Sequence, residues 1–216
     1  MTLSQRIVIA LLKPCARIFI SWKVEGKENV PLNGPLIVIA NHVHLLDPIL
    51  LLLSFPRWIN FMAKDELFRN PFLGIIIRWS RGFSVRRQEP SKGKREVVKQ
   101  AKEILGQGLV LGMFPEGKRS REGKLLRGKA GAAVIASQMG ISLLPVGVVG
   151  TDKLKGTNWL WRRPGIVINI GQPFEPPSFD GRLSKSQMQS LTNLMMGEIA
   201  ALLPWEYRGV YKNHED

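Results

Sequence analysis

Short apolar runs alternate with longer amphipathic segments along this chain, and the alternation predicts an α/β fold. Buried strands are expected where a continuous apolar run lies between turn residues. These predicted strands are 36–40, 59–63, 82–87, 109–114, 143–149 and 166–170. Helical spacing of apolar residues lies between and after them, as in 91–108 and 184–203. We therefore predict a single α/β sandwich with a largely parallel or mixed sheet flanked by helices.

Local signals refine three of these elements. Ser184 and Gln187 have the spacing of a capping box, which predicts the start of the last helix. Pro145 interrupts the run 143–149, and a proline inside a strand predicts an edge strand or a bulge. The polar segment after Leu203 is expected to be loosely held.

The first 23 residues predict an amphipathic helix, or a helix pair because Pro14 should kink or divide it. Arg6, Lys13 and Arg17 fall within about 40° of one another on a helical projection. The opposite side is apolar and consists of Val8, Leu11, Leu12, Cys15 and Phe19. A basic stripe beside a broad apolar face suits a helix in a membrane interface, whereas packing on the domain is the alternative. We divide the chain into a membrane-associating segment, 1–23, and a domain, 24–216.

Composition adds a strong charge to this picture. The chain has 216 residues and a formal net charge of +14, which predicts anionic partners such as nucleic acid, a membrane surface or phosphorylated substrates. Residues 158–163 join two tryptophans to two arginines, a composition suited either to a lipid interface or to an ordinary surface loop. Cys15 is the single cysteine and there are three histidines, so neither a disulfide framework nor a zinc site is expected.

Candidate chemistry lies where the run 36–40 ends. His42 follows that strand closely, and Asp47 precedes Pro48 in a helix-start signal. An imidazole can accept a proton near neutral pH, and a carboxylate bonded to one ring nitrogen would leave the other free as a base. No serine or cysteine is placed as a nucleophile, so the attacking hydroxyl would come from the substrate. The alternative is an ordinary loop histidine beside a helix cap.

A second polar loop, 115–120, follows the predicted strand 109–114. It carries a carboxylate, two cations, a hydroxyl and a glycine, in the order Pro-Glu-Gly-Lys-Arg-Ser. Arg119 and backbone N–H groups could bind a phosphate there, because ligands bind at the carboxyl ends of strands in open α/β sheets. A solvated turn is the alternative.

Together these stretches resemble the glycerolipid acyltransferase family, and bacterial 1-acylglycerol-3-phosphate acyltransferases in particular. The first family block, Asn-His-x4-Asp, matches Asn41, His42 and Asp47. The third block, Phe-Pro-Glu-Gly-Thr-Arg-Ser, matches residues 114–120 with Lys118 in place of threonine.

The other family blocks occur in the same order. The second ends in a strand arginine, which is Arg87, and the fourth is a Leu-Pro-Val strand at 144–146. Residues 62–74 also look like the family. Two positions depart from its pattern, with His44 where serine is frequent and Arg81 where glycine is usual, and both bear on the choice of acceptor.

The resemblance implies that an acyl group moves from an acyl thioester to the free sn-2 hydroxyl of 1-acylglycerol 3-phosphate, forming phosphatidate in phospholipid synthesis. His42 would be the general base and Asp47 would orient it, with His44 as the rival base. The thiol leaves, and no covalent acyl-enzyme is needed.

The resemblance also implies a substrate-binding set. Arg87 and Arg119 would hold the acceptor phosphate, and Glu116 would bind the glycerol part. Gly117 would let the backbone approach the ligand closely. Lys64, at a strand end, would help to stabilise the oxyanion.

The implied partners are membrane lipids, namely a lysophosphatidate acceptor and a phosphatidate product, together with acyl-CoA or acyl carrier protein as donor. No further cofactor, no metal and no nucleic acid are expected. The implied location is the cytoplasmic face of the cell membrane, peripheral or monotopic. Three alternatives stay open: another acceptor such as glycerol 3-phosphate or a different lysolipid, a non-catalytic lipid-binding protein, and a nucleic-acid-binding module.

Overall fold

The computed structural model describes residues 1–64, 83–85, 90–177 and 183–212. The predictions for Arg81, Arg87 and most of the stretch 62–74 lie outside these ranges.

The described residues form one seven-stranded sheet with the order β1-β7-β6-β2-β5-β3-β4. Its strands are β1 Ser21–Glu25, β2 Leu36–Ala40, β3 Ile59–Lys64, β4 Phe83–Val85, β5 Val110–Met113, β6 Leu143–Val149 and β7 Gly165–Ile170. Neighbouring strands are parallel, apart from the antiparallel pair β6–β7. The prediction of a largely parallel or mixed sheet is confirmed.

Helices cover both faces of this sheet. They are α1 Leu3–Phe19, α2 Asp47–Ser54, α3 Pro90–Gly106, α4 Gly131–Met139, α5 Trp159–Arg162 and α6 Lys185–Ala201. Successive strand side chains point to opposite faces, so Ile37 and Ile39 pack with α3, α4 and α6, whereas Leu36 and Val38 pack with α2. Both faces are apolar, and this explains the continuous apolar run of β2.

The N-terminal segment is a single helix, which is one of the two predicted forms, and the alternative of a helix pair divided at Pro14 is not observed. A capping box between Thr2 and Gln5 begins α1, and the helix continues through Pro14 to Phe19. Pro14 lies on the exposed side of α1. Because proline has no N–H, one helical hydrogen bond is missing there, on the side that faces solvent. No helix within the described ranges is both long enough and apolar enough to span a bilayer.

Pro145 lies in an interior strand, so the predicted edge position is wrong. β6 lies between β2 and β7, and Pro145 is opposite Ile39 of β2. The carbonyl of Pro145 accepts the N–H of Gly171, beyond the end of β7. Because the N–H and C=O of a strand residue point to the same side, the missing proline N–H faces this irregular segment and no ladder bond is lost.

The two ends of the last helix differ in how well they were predicted. The capping box of Ser184 and Gln187 begins α6 as expected. Residues 204–212, the described part of the segment after Leu203, are bound to the domain rather than loosely held. Tyr211 is buried and its hydroxyl accepts the N–H of Gly128, while the Tyr207 hydroxyl donates to Asp152. Its aromatic side chains therefore tie this segment to the domain.

Candidate functional site

The candidate site lies at the edge of the sheet where the parallel strands β2, β5 and β6 end. Asn41, the first residue after β2, connects two of these strands. Its side-chain amide donates to the carbonyl of Val148 at 2.8 Å, and its oxygen accepts the N–H of Val148 at 2.7 Å. This paired contact fixes the start of the His42 loop against β6.

Asp47 is the centre of the loop that carries His42. Its Oδ2 lies 2.9 Å from His42 Nδ1 and accepts the backbone N–H groups of Val43 and His44, each at 2.7 Å. Asp47 is wholly buried, and its Oδ1 meets no hydrogen-bond partner among the described residues. A single carboxylate oxygen therefore shapes the loop and orients the imidazole.

Asp47 does not cap α2 in the manner that the sequence predicted. The N-cap residue is Leu46, without a side-chain cap, and Asp47 is already the first residue of the helix. The carboxylate instead turns back to the N–H groups that precede it, because the chain reverses between β2 and α2. The prediction that proline follows at the helix start is confirmed.

His42 is held on its other sides by aromatic and backbone contacts. Its ring stacks on Phe114 with centroids 4.1 Å apart, and Phe114 in turn stacks on Phe61. Its carbonyl accepts the N–H of Ser120 at 2.8 Å. With Nδ1 facing Asp47, Nε2 is the ring nitrogen left to accept a proton.

Glu116 joins the second loop to the first. One carboxyl oxygen accepts the N–H of His42 at 2.7 Å and the other accepts the N–H of Leu126 at 2.9 Å. Burial raises the pKa of Glu116 to about 7, although both backbone hydrogen bonds oppose that shift. The structure thus gives Glu116 a supporting role, while its predicted contact with a glycerol group stays a prediction.

His44 differs from His42 in its hydrogen bonding. Its Nδ1 accepts the N–H of Leu46 at 3.3 Å, so in the neutral ring the proton belongs on Nε2. Burial lowers the pKa of His44, the negative charge of Asp47 opposes this shift, and the nearby Arg119 guanidinium adds to it. In this arrangement neither ring nitrogen of His44 is both free and unprotonated, and the choice of His42 over His44 as the base stays a prediction.

The structure describes some of the remaining predicted site residues and not others. Gly117 has a φ of 68°, and a Cβ there would lie 2.9 Å from Lys129 Nζ, so this position requires glycine. Arg119 is exposed beside the loops. Lys64 is the last residue of β3, in register with Val85 of β4. Arg87 lies outside the described ranges, so the predicted phosphate site stays a prediction.

Three contributors to the site were not assigned roles from the sequence: Asn41, Phe114 and Ser120. Each acts on the His42 loop through a contact between segments far apart in sequence. Their positions inside the first and third family blocks were the only signal. In the part of the chain that the structure describes, no group of three or more His, Cys, Asp or Glu residues could hold a metal ion.

A family model described as Acyltransferase matches residues 21–149, more than half of the chain. A 1-acyl-sn-glycerol-3-phosphate acyltransferase of Borreliella burgdorferi is 27% identical over 205 residues, which cover 92% of this chain and 80% of that protein. One of Bacillus subtilis is 29% identical over 181 residues, covering 83% and 87% respectively.

A plant relative and a solved structure extend the comparison. The chloroplastic 1-acyl-sn-glycerol-3-phosphate acyltransferase LPAT1 of Arabidopsis thaliana is 31% identical over 165 residues, which are 75% of this chain but 46% of that protein. The crystal structure of the 1-acyl-sn-glycerophosphate (LPA) acyltransferase PlsC from Thermotoga maritima matches with a TM-score of 0.67 and 28% identity. That match covers 93% of this chain and 82% of the other chain.

Proposed function

Since this chain belongs to the Acyltransferase family, we propose that it transfers a fatty acyl group to the sn-2 hydroxyl of 1-acylglycerol 3-phosphate. The acyl group comes from a thioester, either acyl-CoA or acyl carrier protein, and the product is phosphatidate. The names of the two bacterial relatives support this acceptor. The observation that carries the proposal is the buried Asp47 carboxylate 2.9 Å from His42 Nδ1 at the end of β2.

The proposed chemistry needs one base and no bound cofactor. His42 Nε2 accepts the proton of the acceptor hydroxyl while the hydroxyl oxygen bonds to the thioester carbonyl carbon. The C–S bond then breaks, and the leaving thiolate takes the proton from the imidazolium. Asp47 stabilises the imidazolium and keeps the ring in the productive tautomer, as the carboxylate of a catalytic triad does.

The acceptor is proposed to bind between the two loops and the ends of β3 and β4. Arg119 is exposed beside His44, where its guanidinium can reach an anionic ligand, and Arg87 completes the proposed phosphate site. Lys64 at the end of β3 is proposed to stabilise the developing oxyanion. The tight turn at Gly117 brings the backbone close to the acceptor, whose glycerol part would lie near Glu116.

Association with a membrane surface is part of this proposal. α1 leaves an apolar row in solvent, because Leu3, Ile7 and Leu11 are 76%, 48% and 64% exposed. These residues recur every fourth position and therefore share one side of the helix. Trp161 on α5, which packs beside α1, is 92% exposed. Apolar rows with an interfacial tryptophan are typical of helices that lie in the headgroup region.

Cations accompany this apolar row. Lys13, Arg17 and Arg163 line a cleft of about 590 Å³ beside α1, and the guanidinium of Arg163 donates to the carbonyl of Arg17 at 2.8 Å. Such a surface suits anionic headgroups. We place the protein on the cytoplasmic face of the cell membrane, with the apolar row of α1 in the bilayer surface and the site open to acceptor lipid.

The direct test is an acceptor panel assayed in detergent micelles with both donors. We expect phosphatidate from 1-acylglycerol 3-phosphate, and far slower turnover of glycerol 3-phosphate and of lysolipids with larger headgroups. Arg119→Ala should raise the KM for the acceptor while the KM for the donor stays the same. Transfer to another acceptor at a higher kcat/KM would replace the proposed substrate, and no transfer to any acceptor would refute the activity.

A further inference from the structure

A small polar cavity lies next to the His42 loop, on the side of β6. Its volume is about 190 Å³. The polar residues that line it are His44, Ser120, Arg121, Thr151, Asp152 and Lys155. They come from three separate segments: the loop after β2, the loop after β5 and the turn after β6. The cavity therefore opens at the same sheet edge as the catalytic pair.

Two buried hydroxyl groups in this cavity have no partner. Ser120 and Thr151 are 1% and 0% exposed, and neither side-chain oxygen meets a hydrogen-bond partner within the described ranges. A buried hydroxyl without a partner costs on the order of 1–3 kcal/mol. Nearby buried hydroxyls satisfy the usual rule, since Thr192 donates to the carbonyl of Met188 at 2.6 Å. Each of these two hydroxyls therefore keeps unused hydrogen-bonding capacity at the wall of the cavity.

The sheet order places part of this cavity away from the ends of β3 and β4. β6 and β5 lie on opposite sides of β2, which precedes His42, and β3 and β4 lie beyond β5. Thr151, Asp152 and Lys155 of the cavity follow β6, whereas Ser120 and Arg121 follow β5. Lys64, the proposed oxyanion contact, ends β3 on the other side of β2. A transfer reaction requires two substrates to meet at one base, and the β6 side offers a second approach to His42.

The lining of the cavity combines hydrogen-bond donors and acceptors. Asp152 presents a carboxylate, one oxygen of which accepts the Tyr207 hydroxyl at 2.8 Å. Lys155 and Arg121 are exposed cations at its border, and Lys155 Nζ donates to the carbonyl of Arg121 at 3.2 Å. A bare phosphate would be repelled by Asp152. An amide chain offers both N–H and C=O groups to such a lining, and a terminal phosphate would suit the two cations.

We propose that this cavity binds the phosphopantetheine arm of the acyl donor, with amide groups against Ser120, Thr151 and Asp152 and the phosphate towards Arg121 and Lys155. The proposal rests on the proposed function. The arm is common to acyl-CoA and acyl carrier protein, so one cavity serves either donor. Its thioester end then lies towards His42, opposite the acceptor.

Thr151→Val gives a test in which binding and stability change in different directions. Removing an unpartnered buried hydroxyl should leave the melting temperature unchanged or higher. The KM for the donor should rise about threefold to tenfold, as expected when one hydrogen bond is lost. The KM for 1-acylglycerol 3-phosphate should not change. Thr151→Ser keeps the hydroxyl and should retain the parent KM for the donor, and Thr192→Val is the matched control away from the cavity.

The two donors and a binding measurement complete the test. A rise in KM for both acyl-CoA and acyl carrier protein supports the shared arm, whereas a rise for one donor alone, or for the acceptor alone, overturns the assignment. Binding of CoA without acceptor, measured by calorimetry, should weaken in Thr151→Val by the same factor. A parent protein that binds CoA but makes no phosphatidate would refute the proposed function and leave the cavity standing. Equal CoA affinity in parent and variant would refute the cavity alone.

Discussion

Asp47 Oδ2 lies 2.9 Å from His42 Nδ1, and the same oxygen accepts the N–H groups of Val43 and His44. The carboxylate thus orients the ring and shapes the loop that carries it. Because Asp47 is wholly buried, its contacts do not compete with water. A change at Asp47 would therefore alter the position of His42 as well as its electrostatic environment.

Asn41→Ala should destabilise the domain and displace the His42 loop. The substitution leaves both the N–H and the C=O of Val148 without their side-chain partner in a buried position. We expect a loss of about 2–4 kcal/mol in the free energy of unfolding, measured with denaturant. Asn169→Ala is the control, since half-buried Asn169 makes a single bond to Leu202. Equal losses in the two variants would contradict the role of the Asn41–Val148 contact in fixing the His42 loop.

The free energy of unfolding should depend on pH through Glu116. Burial raises the pKa of this group to about 7, above the ordinary value near 4.3 expected in the unfolded chain. The folded chain then binds more protons at this group, so the contribution of Glu116 to stability is fully present below about pH 4.3 and is lost as the pH rises to about 7, by on the order of 3 kcal/mol.

Glu116→Gln isolates this contribution. The variant cannot titrate there, so the difference in unfolding free energy between parent and variant should shrink as the pH rises from about 5 to 7. The NH2 group of the glutamine amide also faces the N–H of either His42 or Leu126. Two donors then meet, and this lowers the stability of the variant at acidic pH. Parallel pH profiles for the two proteins would show that Glu116 does not titrate in this range.

Phe114→Leu should lower kcat and cost on the order of 1 kcal/mol of stability. The Phe114 ring stacks on His42 at 4.1 Å, and such a pair contributes about 0.5–1.5 kcal/mol beyond area burial. We expect a threefold to tenfold lower kcat, because the imidazole gains freedom to leave its position over Phe114. Phe114→Tyr keeps the ring and is the matched control. A variant with leucine that retains the parent kcat would show that the stack has no part in orienting His42.

Replacing Leu3, Ile7 and Leu11 by serine should release the protein from liposomes that contain anionic lipid. The three side chains are 48% to 76% exposed, so their replacement should cost the folded domain little stability. Sedimentation of the variant with liposomes measures the effect.

The control replaces three exposed apolar residues elsewhere, Leu32, Leu194 and Val210, by serine. This control should sediment like the parent. If the α1 variant still sediments while the control does not, the membrane surface lies away from α1, and residues 1–23 are not the attachment segment.

Local patterns predicted the parts of the site that depend on neighbours in sequence. His42 and Asp47 are five positions apart, so a strand followed by a helix start was enough to bring them together. The capping box of Ser184 and Gln187 is local for the same reason. Apolar runs predicted the strands because burial on both faces removes the polar alternation.

Contacts between distant segments were not predictable in this way. Asn41 meets Val148 across 107 positions, and Ser120 meets the His42 carbonyl only once β2 and β5 are paired. Pro145 was predicted to mark an edge strand or a bulge, because the local sequence does not show that its missing N–H faces the irregular segment after β7. The tail after Leu203 looked polar, but Tyr207 and Tyr211 bind partners far away in the chain.

The most direct measurement compares His42→Ala with His44→Ala in transfer from a radiolabelled acyl donor to 1-acylglycerol 3-phosphate. The two histidines share one loop, but only His42 faces Asp47 through Nδ1. We predict that His42→Ala loses about 100-fold to 10,000-fold in kcat, the usual range for a general base, at an unchanged melting temperature. His44→Ala should stay within tenfold of the parent. Near-normal turnover by His42→Ala, or a larger loss in His44→Ala, would contradict the account.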